Sequence, residues 1–328
     1  MIFGKGIAAA IAIGSLAAPL AAMGQPASGM HRIGFVNSGP AGPNAVNFAA
    51  FRSGLAELGY VEGRNIAIEV RWGDQNVDRL PDIVKEILNT KPEVIVSTGG
   101  AVTARAVKAA TSTVPVVFIT GNPVAEGIVK SLARPGGNAT GFALLAGDLE
   151  AKRLEILQQM LPRAKRIAVI WNPTQPYVEA IYKSTEEAAG RLGMTLLASK
   201  ARNRAELEQA FVEVASAKAD ALFVIADPVL GFERARIVEF ASSNRLSGIY
   251  FWREFAEIGG LASYGTNLAA VYHRSASYVD QILKGAKPGD LPIQQPTTFE
   301  FIINLKTAKA LGITIPQAVR QRADEVIE

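Results

Sequence analysis

Two short stretches carry groups suited to holding a small molecule. Ser97-Thr98-Gly99-Gly100 and Thr120-Gly121-Asn122-Pro123 each close an apolar, β-branched run, Val94–Val96 and Val114–Ile119. Their glycines let backbone approach a ligand, and their hydroxyls and the N–H groups of a helix starting at Ala101 suit a carboxylate or another anion. The loop Ser38–Asn44, with two prolines and two glycines, adds Ser38 and Asn44 to the same set. A second group differs in character: Trp171-Asn172, Asp227-Pro228 and Phe251-Trp252-Arg253-Glu254. Aromatic faces beside an amide and carboxylates suit an apolar or aromatic body and an ammonium group. Each residue also has a plainer use. Thr98 and Gly99 can serve a helix start, Asp227 before Pro228 has the form of an N-cap, and Trp171 suits a core. Tyr264, between Ser263 and Gly265, is expected either at the mouth of a cleft or packed beneath it.

Catalytic parts are scarce. The two histidines are His31 and His273, and neither HExxH nor a GxSxG elbow occurs. No phosphate-binding glycine loop follows an expected strand, so neither a nucleotide nor any other cofactor is expected, and no metal. The paired acids Glu186-Glu187 and Asp324-Glu325 sit among polar residues on helices, as solvated faces do. An exported α/β enzyme acting on a small carboxylate, with Asp227 or Glu254 as base, is the rival reading. Turnover of a bound ligand would separate the two.

The elements that must position these groups alternate. Strands are expected at Arg32–Asn37, Ile66–Arg71, Val94–Val96 and Val114–Ile119, with helices between them, the first carrying Phe48, Phe51, Leu55 and Leu58 at helical spacing. Arg134-Pro135-Gly136-Gly137-Asn138 is a turn, and Ala139–Leu145 is expected to run out of this half. A second half follows, with strands at Arg166–Trp171, Thr195–Ser199, Asp220–Ala226 and Gly248–Trp252 and a long helix over Val229–Arg245. Regular strand–helix alternation, twice over, predicts an α/β fold of two doubly wound, Rossmann-like lobes. In such sheets ligands bind beyond the carboxyl ends of the strands, where these groups fall. The tail, with a helix at Asn267–Lys284 and a strand at Phe299–Leu305, recrosses between the halves. With passages near Leu144 and Pro292–Pro296 this predicts a three-segment hinge. The expected division is lobe I at 31–145 plus 262–295 and lobe II at 146–261 plus 296–328.

Composition bounds the rest. Hydrophobic residues make up 49% of 328 and charged residues 20%, enough apolar content for two cores. The net charge of +4 is spread without a basic stripe, so no nucleic-acid partner is expected. Residues 1–24 read as a cleavable signal peptide: Lys5, an apolar run over Gly6–Leu20, then Ala22-Met23-Gly24. That run is shorter than the ~20 residues of a spanning helix. There is no cysteine, hence no disulfide, no thiolate site and no cysteine to carry a lipid anchor. A monomer free in the periplasm is expected.

FRSGLAELGYVEGRNIAIEVRW, GNPVAEGIVKSLARPGGNATG, REFAEIGGLASYGTNL and INLKTAKALGITIP span Phe51 to Pro316. In these stretches the chain resembles the ABC-transporter substrate-binding proteins related to the tryptophan-binding protein of Gram-positive bacteria. The resemblance implies the type I periplasmic-binding-protein fold, no catalysis, and delivery of a small organic ligand, an amino acid or aromatic carboxylate, to a membrane permease driven by a separate ATPase. It also implies a pocket between the lobes, formed by the Ser38–Asn44 loop, Thr98, Gly99, Thr120, Gly121, Asn122, Asn172, Asp227, Trp252 and Tyr264. Gly100 joins them from the strand-tip pattern. Many relatives carry aspartate where this chain has Asn122. A ligand-sensing module for a membrane receptor would share the same cleft.

Overall fold

A computed structural model describes Met1 and residues 29–328, apart from Leu145 and Gln175. The expected signal peptide thus falls, but for Met1, outside the described residues.

Buried β-branched runs form strands here because both faces of each sheet are covered by helices. In the first lobe β1 (His31–Asn37), α1 (Ala41–Glu57), β2 (Ile66–Trp72), α2 (Leu80–Asn89), β3 (Val94–Thr98), α3 (Ala101–Ala110), β4 (Val116–Thr120) and β5 (Ala139–Ala143) follow in turn. They make a five-stranded parallel sheet in the order β2-β1-β3-β4-β5. The register sets Asn37 beside Thr98, so the tips of β1 and β3 end level.

The second lobe runs α4 (Glu150–Met160), β6 (Arg166–Trp171), α5 (Pro176–Arg191), β7 (Thr195–Lys200), α6 (Arg204–Ser216), β8 (Ala221–Val224), α7 (Pro228–Phe232), α8 (Arg234–Ser243), β9 (Ser247–Tyr250), α9 (Arg253–Glu257) and β10 (Ala262–Gly265). The chain then returns to the first lobe as α10 (Leu268–Leu283), which packs along α1. It finishes in the second with β11 (Glu300–Asn304), α11 (Leu305–Leu311), α12 (Gln317–Arg320) and β12 (Glu325–Ile327). The second sheet has seven strands in the order β12-β11-β10-β9-β8-β6-β7, and β10–β11 is its antiparallel pair. Each lobe has its own apolar core on both sides of its sheet. The doubly wound, two-lobed α/β fold is as the alternation predicts.

Three passages join the lobes, near Leu144, at Thr266 and over 292–299. They hold one another: Ala143 N–H donates to Gln294 O at 2.9 Å, Gln294 N–H to Gly141 O at 3.0 Å, and Thr266 Oγ1 to Leu144 O at 3.4 Å.

Several expected boundaries move. Ala262–Gly265 belongs to the second sheet, between β9 and β11, and not to lobe I; its backbone pairs on both sides before the chain crosses. Ala139–Ala143 does not run out of the first half but forms its fifth strand. The Ser38–Asn44 loop is mostly helix, since α1 starts at Ala41 and a first turn tolerates Pro43, whose missing N–H has no intrahelical partner there. The helix expected over Val229–Arg245 breaks at Glu233, and the strand expected to reach Trp252 stops at Tyr250 so that α9 can start.

Candidate functional site

Between the lobes lies a cavity of about 330 Å³, walled by the carboxyl-end tips of both sheets. Of the twelve residues expected at a site, Asn44, Gly99, Gly100, Thr120, Gly121, Asn122, Asp227 and Trp252 line it; Ser38, Thr98, Asn172 and Tyr264 do not.

On the first-lobe side the β3 tip turns through Gly99 and Gly100, at φ +83° and +92°, a region costly for residues with a Cβ. The turn delivers Ala101 to the cavity wall as the first residue of α3, whose N-terminus has no side-chain cap. Free helix-start N–H groups facing a cavity favour a negative group. Ser38 and Thr98 work behind this tip. Ser38 Oγ donates to Gly99 O at 2.8 Å, and Thr98 Oγ1 accepts from Asn37 Nδ2 at 2.8 Å, so both hydroxyls are spent holding the turn. Thr98 is fully buried because the last residue of a central strand points into the lobe.

At the β4 tip, Thr120 Oγ1 donates to Glu126, a residue the sequence reading did not single out. Glu126 Oε1 accepts from Asn122 N–H and, across the cleft, from Tyr177 O–H, each at 2.9 Å. Burial and the neighbouring Glu126 carboxylate push the Tyr177 phenol far above its ordinary pKa, so it stays a donor.

On the second-lobe side Asp227 is both N-cap and cavity wall. Its Oδ1 accepts from Val229 N–H at 2.8 Å, Leu230 N–H at 3.3 Å and Asn172 Nδ2 at 3.2 Å. Among the described residues no donor reaches Oδ2. Burial pushes the carboxyl up to about 6, against the opposing pull of those three hydrogen bonds. Asn172 therefore orients Asp227 instead of lining the cavity. Its own Oδ1 is fixed by Thr174 N–H at 3.0 Å.

The apolar walls come from both lobes: Trp252, Phe232 and Ile181 on one side, Leu268, Tyr272 and Ile119 on the other. Trp252 lies against Gly231, where a Cβ would come 2.0 Å from ring atom Cζ3. Tyr264 is packed elsewhere, with ring centroids 6.1 Å from Phe299 and 6.3 Å from Phe301, because strand alternation in β10 turns it onto the second sheet. Glu254, the alternative base, does not line the cavity either.

The lobes are closed on each other. Besides Tyr177–Glu126, Gln75 Nε2 donates to Glu233 Oε1 at 2.6 Å and Arg234 Nη2 to Pro43 O at 2.7 Å.

Two sheet lobes, three hinge strands and an enclosed cleft define a small-molecule receptor of the periplasmic-binding type I class. Residues 38–327 match the family described as ABC transporter substrate binding protein, and the chain belongs to that family as the substrate-binding component of an ABC transporter. A tyrosine-binding protein of Clostridioides difficile is 27% identical over 265 residues, covering 80% of this chain and 75% of that one. A conserved domain protein of Vibrio cholerae superposes with a TM-score of 0.84 at 26% identity, over 90% of this chain and 99% of the other. A Streptococcus pneumonia ABC domain solved in complex with L-Trp superposes at 0.82 with 24% identity, over 91% and 100% of the two chains.

Proposed function

We propose that this protein captures an aromatic L-amino acid in its interlobe cleft and hands it, chemically unaltered, to a membrane permease. The observation that carries this reading is the Asp227 carboxylate. Three neutral donors fix its Oδ1, while Oδ2, on a cavity wall, is left for a ligand ammonium. The α3 start at Gly99–Ala101 suits the ligand carboxylate, and Trp252, Phe232 and Tyr272 suit an aromatic side chain. The tyrosine-binding relative and the neighbour holding L-Trp support the same ligand class.

Ligand contacts to both walls favour the closed form over an open one, so capture is a population shift about the hinge. No helix among the described residues is long and apolar enough to cross a membrane. The apolar run over Gly6–Leu20 supports a receptor that is exported, loses residues 1–24 and works in the periplasm, and a net charge of +4 without a basic stripe supports a receptor with no nucleic-acid partner. A thermal-shift screen over the amino acids, aromatic acids and related metabolites tests the ligand class, because a ligand that binds the native form raises Tm. Selective shifts with L-Trp or L-Tyr are expected; shifts confined to compounds without an amine would reject it.

A further inference from the structure

Glu126 lies in the turn after β4, is 7% exposed, and lines the cavity. Its carboxylate takes hydrogen bonds from Thr120, Asn122 N–H and Tyr177, all neutral. Asp227, on the opposite lobe, likewise has only neutral partners among the described residues. The described lining contains no Lys, Arg or His. Arg105 reaches Glu126 only through the backbone carbonyl, at 3.4 Å. The Tyr177 hydroxyl, on the same cavity wall as Asp227, donates to Glu126 across the cleft. Closing the cleft thus brings two carboxylates from different lobes to one desolvated space, where like charges repel more strongly than in water.

We propose that Glu126 is the first-lobe half of a two-carboxylate clamp on the ligand's ammonium group. The ligand's positive charge removes the repulsion between Glu126 and Asp227, so an amine favours closure, a deaminated acid is rejected, and the ligand-free protein resists closing. This inference rests on the amino-acid reading above and adds to it a specificity residue and a gate.

The test uses two variants, Glu126→Gln and Tyr177→Phe, with three probes: L-tryptophan, tryptamine and indole-3-propionate. Because the chain has no cysteine, Val46→Cys in the first lobe and Val212→Cys in the second, both exposed, permit clean dye labelling for single-molecule FRET. Calorimetry on Glu126→Gln is expected to show affinity for the two amines reduced about tenfold or more, with indole-3-propionate unchanged or bound more tightly. Tyr177→Phe, which removes a closure contact and no charge, is expected to weaken all three alike. FRET without ligand is expected to show more closed molecules in Glu126→Gln than in the wild type. If Glu126→Gln weakens all three probes by one common factor, or leaves ligand-free closure unchanged, the clamp is overturned and Glu126 is a latch. Wild type binding none of the probes would sink the amino-acid reading, while the ligand-free FRET comparison still decides the clamp.

Discussion

Gly39, just past β1 of the first lobe, faces the ring of Phe232 on the second so closely that a Cβ would lie 2.5 Å from Cζ. The contact exists only with the lobes together, and Phe232 also walls the cavity. Replacing Gly39 by alanine is therefore expected to obstruct closure while sparing each lobe. Ligand affinity falls at least about tenfold, a loss of about 1.4 kcal/mol, and the ligand-free Tm stays within a degree or two of the wild type, the scale of a surface change. Calorimetry and calorimetric melting check the pair; an unfolded or strongly destabilised variant would mean that Gly39 serves its own lobe.

Asp227 sets opposite pH trends for binding and for stability. Its carboxyl is raised from 3.8 to about 6 by burial, so the ligand-free fold holds a proton that the unfolded chain releases. Its contribution to ligand-free stability is full below about pH 4 and fades as pH rises through about 6. Binding an ammonium needs the ionised form, so affinity is expected to rise over the same interval. Titrations between pH 5 and 7.5 check this against the Asp227→Asn variant, in which both trends should flatten.

Trp252 is held by Gly231 from behind and presents its ring to the cavity. Truncation to alanine is expected to cost an aromatic ligand roughly 1–3 kcal/mol of binding energy, the range for a large buried side chain. An aliphatic amino acid should lose less. Equal losses for both classes would place the aromatic body of the ligand elsewhere.

Beneath the Asp227 strand tip lies a buried ion pair. Glu150 and Arg153 are each 1% exposed and touch directly. Glu150 Oε1 accepts from Ala226 N–H at 3.1 Å, and Arg153 Nη1 donates to Tyr264 O at 3.3 Å. Arg153→Met leaves a buried carboxylate without its partner and is expected to cost about 3–5 kcal/mol of stability. Arg153→Met combined with Glu150→Gln should recover part of that. Urea unfolding measures both, and a double variant as unstable as the single one would contradict the pairing argument.

The strand tips were legible because each follows a β-branched run long enough to need burial on both faces. That pattern alone places Gly99, Thr120, Asp227 and Trp252 at strand ends, where a binding edge is expected. Side chains that reach the cavity from other directions left no such signal. Tyr177 and Phe232 come from the first and last turns of second-lobe helices, Tyr272 from the returning α10, and Glu126 folds back from a turn. Tyr264 misled because strand alternation, unreadable in a four-residue segment between glycines, decides which way it points. Ser38, Thr98 and Asn172 were of the right chemical type, but their hydrogen bonds are spent on neighbouring backbone and side chains. The break at Glu233, which brings Phe232 and Arg234 to face the first lobe, has only Gly231, two residues earlier, to announce it.

Calorimetric titration of L-tryptophan and L-tyrosine into the wild type and into Asp227→Asn tests the central claim most directly. Asparagine retains the N-cap of α7 and removes only the charge. One-to-one binding to the wild type, weakened by roughly 2–5 kcal/mol in the variant with no new product in the recovered ligand, is the predicted result. Equal affinity in the two proteins, or conversion of the ligand, would contradict it.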